Sequence, residues 1–199
     1  MRYRDIARRK HHADGDTEVA AIESTITARA RAVKARAQTD SITRDVRIRV
    51  IRPTDWRKLQ RFHDRLSLDT IENRFHGAKR ALSEPLAHRF TQMDGTDNVA
   101  FVATKGSRGR IVGVARYSRL SPVSAEVAFV IEDHYQGHHI GSRLMKRLKS
   151  SAVENGIREF VAEVLPGNVP MLKLMHEAGK TRSSYRDGEC HVLVDLLAS

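Results

Sequence analysis

Apolar and polar residues alternate through Val46, Ile48 and Val50 and stop at Pro53, the pattern of a half-buried strand. Behind Thr54-Asp55 the spacing widens: Trp56, Leu59, Phe62 and Leu66 recur at three and four residues, which predicts a helix, and Leu68–Phe75 and Glu84–Met93 read as two further helical pieces. Three β-rich runs follow, Val99–Thr104, Ile111–Ser118 and Ala125–Ile131, separated by the turn sequences Lys105–Gly109 and Ser121-Pro122, so they predict an antiparallel meander. Gly137–Gly141 then leads into a helix with Ile140, Leu144, Leu148 and Ala152 on one stripe and Gly156 at its end. A strand (Arg158–Leu165), a short helix from an Asn168 cap to Ala178 with Gly179 as its stop, and a hairpin around Asp187-Gly188 close the chain.

This order predicts an α+β fold in which a mixed, mainly antiparallel central sheet is flanked by helices, without internal repeats. The first 44 residues differ in composition. Arg8-Arg9-Lys10, His11-His12 and the Ala/Arg-rich run Ala28–Ala37 mark residues 1–44 as a basic extension, and 45–199 as the main domain. Within the extension, Val19, Ile22, Ile26 and Val33 fall near helical spacing, which predicts an amphipathic helix starting around Asp16-Thr17.

Mean hydropathy is -0.47 and no run approaches the ~18 apolar residues of a membrane span. Met1–Lys10 lacks the apolar segment of a secretory signal, so the expectation is a cytoplasmic protein without membrane attachment. One cysteine, Cys190, excludes an internal disulfide and a cysteine-rich zinc site. The net charge of +11 attracts anions. Its spread, +4 in Met1–Arg44 and +7 beyond, is unlike the concentrated stripe of a nucleic-acid-binding surface, so nucleic acid remains open without being favoured.

The sharpest local feature is Gln136-Gly137-His138-His139-Ile140-Gly141-Ser142 between a strand and a helix, followed by Arg143. Glycines there let the backbone approach a ligand, and a helix start offers unpaired N–H groups and a positive dipole end, which suit a phosphate or pyrophosphate. Turn geometry alone is the competing explanation of the glycines.

With its neighbours the segment resembles motif A of the GNAT superfamily of N-acetyltransferases, Gln/Arg-x-x-Gly-x-Gly/Ala. Gln136 and Gly141 match, whereas His139 stands at the central glycine. Glu126-Val127-Ala128-Phe129-Val130-Ile131 is similar to the family's preceding strand, and Glu163–Leu172 to its next motif. Arg65-Leu66-Ser67, Asn73-Arg74-Phe75 and Val112–Tyr117 most resemble the bacterial Pat-like protein lysine acetyltransferase branch. The resemblance implies a GNAT-like fold over approximately Val46–Leu196 and acetyl-CoA as co-substrate. It implies coenzyme contacts from Phe129, Val130 and Ile131 along the pantetheine, from Gln136, Gly137, His138, His139, Ile140, Gly141, Ser142 and Arg143 around the pyrophosphate, and from Asn168 across the cleft, where helix capping is the equal alternative.

Glu126 matches the family's glutamate base. On an alternating strand it shares a face with Ala128 and Val130, an apolar setting in which partial burial is expected and a carboxylate is costly unless bonded or used. The alternative is a strand-edge glutamate paired with Arg116 or a surface lysine. The implied reaction is acetyl transfer from acetyl-CoA to an amine, most simply a protein lysine, by direct attack. The alternatives are a small-molecule amine acetyltransferase and a catalytically weak acyl-CoA-binding or nucleic-acid-associated module. Tyr135 and Tyr185 have no motif match as general acid, and Leu172, Leu174 and Met175 read as core packing. No metal is expected, because His134, His138 and His139 lack a carboxylate-rich partner motif.

Overall fold

The computed structural model of the chain describes the backbone of residues 4–75, 81–186 and 188–198 and the side chains of 24–74, 81–186 and 188–198. Two units divide it, Met1–Arg44 and Asp45–Ser199.

The first unit is a single helix, α1 (Arg4–Thr43), which begins well before the expected start at Asp16-Thr17. Alanine, arginine and lysine on both sides of Gly15 favour helix strongly enough to run through that glycine, at a cost of ~1 kcal/mol. Ile26 and Val33, which suggested an apolar stripe, are exposed. Val19 and Ile22 lie outside the described side chains. No helix among the described residues is long and apolar enough to cross a membrane.

The second unit follows the anticipated order: β1 (Val46–Val50), α2 (Trp56–His63), α3 (Leu68–Phe75), α4 (Glu84–Thr91), β2 (Asn98–Lys105), β3 (Arg110–Arg119), β4 (Ser124–Ile131), α5 (Ile140–Glu154), β5 (Glu159–Val164), α6 (Val169–Ala178), β6 (Lys180–Arg186) and β7 (Glu189–Asp195). The hairpin turn reaches Asp187, which lies outside the described residues. The strands form one mixed sheet in the order β1-β2-β3-β4-β5-β7-β6, antiparallel throughout except between β4 and β5.

Strand alternation sorts side chains to two cores. On one face α5 packs against β2 and β3, and α6 against β7. Ile140, Leu144, Leu148 and Ala152, the stripe predicted for α5, are all buried, each of the larger ones contributing roughly 1.5–3 kcal/mol. On the other face Leu59 and Phe62 of α2 and Ala87 of α4 cluster with Ala100, Val102 and Val114. This second layer covers β2 and β3. Among the described residues of this unit no helix packs closely on the β5-β7-β6 side of that face, where Arg182, Ser184 and Arg186 of β6 stand exposed.

Candidate functional site

β4 pairs with β3 along its length, from Arg119↔Ala125 to Gly113↔Ile131. With β5 it pairs only at Ser124↔Glu159, Ala125↔Phe160 and Glu126↔Val161. β5 instead follows β7 through its full length, Glu159↔Asp195 to Val164↔Cys190. Beyond Glu126 the two central strands therefore part. Gly113 helps to fix the parting strand: a Cβ there would stand 2.7 Å from Ile131 Cδ1 and 3.3 Å from Leu144 Cδ1, so the end of β4 packs where a side chain is missing.

The opening is a cleft of about 950 Å³, at the upper end of the ~300–1,000 Å³ of ligand sites. Its walls include the unpaired stretch of β4, the loop into α5, and one face of α6. A strand edge left without its neighbour presents main-chain groups to a ligand that lies beside it.

The loop at the cleft's wide end is pinned by residues distant in sequence. Glu132, buried, accepts from Arg65 Nε and Nη2 at 3.2 and 3.1 Å and also from Arg110 Nη2. Asp133 accepts from the Ser67 N–H (3.1 Å), the Ser67 hydroxyl (2.5 Å) and the Thr70 hydroxyl (2.9 Å). Burial works against the Asp133 carboxylate, but these donors outweigh it and hold its pKa below the ordinary value. Gln136 donates from Nε2 to the Ile131 carbonyl (3.0 Å) and the Thr70 hydroxyl (3.1 Å).

With its ends fixed the loop turns twice through the left-handed region, at Gly137 (φ 74°) and at His139 (φ 58°, ψ 14°). His139 thus adopts the backbone that a glycine takes most easily, and the path into α5 is kept. The first turn of α5 opens on the cleft, so its N–H groups and dipole favour an anion there.

Glu126, Phe129, Val130, Ile131, Gln136, Gly137, His139, Ile140, Gly141, Ser142 and Asn168 all line this one cleft. His138 and Arg143 do not: Arg143 Nη2 donates to the Val46 carbonyl at 2.8 Å, which turns its charge away. Asn168 Oδ1 accepts from the Met171 N–H (3.1 Å) as the cap of α6. Sequence reading missed Thr70, Asn73, Arg74, Glu163, Lys173 and Glu177, which also line the cleft. Lys173 and Glu177 are four apart, a helical spacing that marked one face of α6, while the others are brought in by the fold. Leu174, expected in the core, lines the cleft too, whereas Met175 is buried as expected. Tyr135 lines the cleft with a buried ring; Tyr185 is exposed and outside the lining.

Glu126 is exposed, which corrects the expectation of partial burial. Ala128 and Val130 do share its face, but the parting of the strands leaves the carboxylate open to solvent. Two arginines lie within its field, Arg74 of α3 and Arg116 of β3. Burial pushes both guanidinium groups below their ordinary pKa, Arg74 to about 10, so both stay cationic at neutral pH.

Among the described residues, the side chains close enough to share a cation are Glu163, Glu189 and His191, whose ligand atoms lie within 4.8 Å of one another. His134, His138 and His139 are not among them. Cross-strand pairing creates this group, since Glu163 and His191 are register partners with an Oε1–Nδ1 distance of 3.7 Å.

Residues 60–179 match the model of the acetyltransferase (GNAT) family. Acetyltransferase Pat of Mycolicibacterium smegmatis is 36% identical over 115 residues, which cover 57% of this chain and 34% of that protein. Acetyltransferase PA5475 of Pseudomonas aeruginosa is 34% identical over 120 residues, covering 59% of this chain and 64% of that protein. The chain thus spans less than two thirds of either curated relative. The crystal structure of the GNAT domain of S. lividans PAT is similar at a TM-score of 0.70 with 34% identity, covering 76% of this chain and 90% of that one.

Proposed function

This chain belongs to the acetyltransferase (GNAT) family, and we propose that it transfers an acetyl group from acetyl-CoA to the side-chain amine of a protein lysine, with Glu126 as general base. The observation that carries the reading is the parting of β4 and β5 immediately after Glu126, which sets a carboxylate at the inner end of a cleft whose outer end is a helix N-terminus. Those two chemistries, an anion seat and a proton acceptor, are what a coenzyme A thioester and an incoming amine require.

Main-chain groups of Phe129, Val130 and Ile131 hold the pantetheine arm as an added strand and polarise the thioester carbonyl. Gln136, Gly137, His139, Ile140, Gly141 and Ser142 surround the pyrophosphate, with the first turn of α5 supplying N–H donors. Asn168, on the opposite wall, closes the cleft. His138 and Arg143 have no part in this lining.

A lysine amine with a pKa near ~10.4 is almost wholly protonated at neutral pH and cannot attack a thioester. Glu126 removes the proton, directly or through water; the nitrogen then attacks the carbonyl carbon, and the C–S bond breaks to release the coenzyme thiolate. The solvent exposure of Glu126 and the uncovered sheet face beyond β5 support a bulky acceptor. Arg74 and Arg116 beside it weigh against a small polycationic amine, which acidic walls would favour.

Incubating the chain with labelled acetyl-CoA and a panel of proteins and small amines tests the assignment. Label on lysine side chains of a protein is the expected result; label only on small amines overturns the acceptor class, and none on either overturns the transfer.

A further inference from the structure

Thr70 of α3 lines the cleft, and its hydroxyl joins two side chains of the loop that leads into α5. It donates to Asp133 Oδ1 at 2.9 Å and accepts from Gln136 Nε2 at 3.1 Å. Chemistry fixes both directions. Burial opposes ionisation of Asp133, but the donors Ser67 and Thr70 hold its pKa below the ordinary value, so it is a carboxylate at neutral pH. A carboxylate only accepts; the single hydroxyl hydrogen therefore goes to Asp133, and the hydroxyl oxygen is left for the amide of Gln136.

The orientation of that amide is determined as well. Gln136 Nε2 also donates to the Ile131 carbonyl at 3.0 Å, and a carbonyl has no hydrogen to give back. Both amide hydrogens are thus used, one at the end of β4 and one on α3. Oε1 is the polar atom that remains, and it can offer no hydrogen bond to a phosphate. The side chain of Gln136 is accordingly a strut between β4 and α3. The loop's main-chain N–H groups are what it leaves for an anion, with Gly137 (φ 74°) turning the chain directly behind the strut.

The two ends of the Thr70 hydroxyl are not equally dependent on it. Asp133 also accepts from the Ser67 N–H (3.1 Å) and the Ser67 hydroxyl (2.5 Å), so it stays fastened when the Thr70 hydroxyl is removed. The α3 end of the Gln136 strut rests on that hydroxyl.

Resting on the coenzyme A reading above, we propose that Thr70 is a positioning residue for the coenzyme: its hydroxyl, polarised by Asp133, holds the Gln136 amide so that the loop's main-chain N–H groups converge on the pyrophosphate. Bonds in such a chain reinforce one another, since a hydroxyl that donates to a carboxylate is a better acceptor for an amide. Thr70 touches neither the amine nor the thioester in this arrangement. Its effect therefore falls on coenzyme affinity and leaves the transfer step alone.

The test pairs calorimetric titration of the full chain with CoA and steady-state kinetics with acetyl-CoA on an acceptor found in the panel above. Thr70→Val keeps the shape and removes the hydroxyl. It should bind CoA about fivefold more weakly and raise KM for acetyl-CoA in step, with kcat within about twofold of the parent chain. Thr70→Ser returns the hydroxyl and should bind CoA within about twofold of the parent. Gln136→Met should reproduce the loss, and Thr70→Val added to it should weaken binding no further. If Thr70→Val fails to fold by thermal denaturation, Gln136→Met and Thr70→Ser decide the matter. Undiminished CoA binding in Thr70→Val or Gln136→Met, a loss that Thr70→Ser shares, a fall in kcat in place of affinity, or two losses that add overturns the proposal. A parent chain that binds no CoA overturns the coenzyme reading itself.

Discussion

Arg65 and Glu132 stand 67 positions apart in sequence and are joined by two hydrogen bonds to one carboxylate oxygen, 3.2 Å from Nε and 3.1 Å from Nη2. The same arginine donates to the Ile111 carbonyl at 2.8 Å, so it ties the end of α2 to β3 and to the root of the cleft loop at once. Glu132 is buried, so removing its partner strands a carboxylate rather than merely losing a contact. Arg65→Ala should cost about 2 kcal/mol, below the full penalty of a buried pair because Arg65 is partly exposed and Arg110 remains. A fall in melting temperature of roughly 4–8 °C is the expected reading.

Glu126→Gln should leave acetyl-CoA affinity within twofold or so and lower kcat by roughly 10²–10⁴, the usual contribution of a general base. Steady-state kinetics on an acetylated acceptor, paired with a coenzyme titration, separates the two effects. Unchanged turnover at neutral pH would remove Glu126 from the chemistry.

His139 occupies the left-handed region, where an L-residue is disfavoured by roughly 1–2 kcal/mol. His139→Gly should therefore keep the loop's course and bind coenzyme as tightly as the parent chain or more so. His139→Val, branched at Cβ, should bind at least about tenfold more weakly, because a branched residue at that φ distorts the helix start. Titrations of both variants with CoA decide this; a large loss of affinity in the glycine variant would make the imidazole a direct contact.

Acid should unfasten particular carboxylates. Burial opposes ionisation of Asp55, yet Arg49 (2.6 and 2.9 Å) and the Arg52 N–H (2.9 Å) prevail and hold its pKa below normal. Asp133 is depressed in the same sense by Ser67 and Thr70. A carboxylate with a lowered folded-state pKa stabilises above its unfolded value, about 3.9, and that contribution is lost as pH falls through the folded value. In urea denaturation, Asp55→Asn and Asp133→Asn should each lie furthest below the parent chain at pH 7, and the gap should start to close only as pH falls below about 3.9. A gap that stays constant with pH would contradict the linkage.

The helical stripe Ile140, Leu144, Leu148 and Ala152 was readable because a helix repeats every 3.6 residues and one face must be dry. The meander was readable from turn residues between alternating runs. Both signals are local. The start of α1 was misread because a helix rich in alanine and basic residues needs no cap signal to extend, and Ile26 and Val33 mark no buried face. Arg143 was misplaced because proximity in sequence to a phosphate-type loop does not fix where a long side chain turns; the Val46 carbonyl decides it, 97 positions away.

Glu126 shows where the boundary falls. Alternation alone put it on one face with Ala128 and Val130, and family resemblance gave it a chemical role to be tested. Its exposure and the arginines in its field arise because α3, β3 and β5 each lie against β4 around Glu126. The elements, their order and the loop at the head of α5 follow from local pattern, since these depend on interactions among near neighbours. That β5 follows β7 and leaves β4 at Glu126 is settled by long-range folding, because strand pairing is a competition between segments far apart in the chain, and the cleft is the gap that this competition leaves.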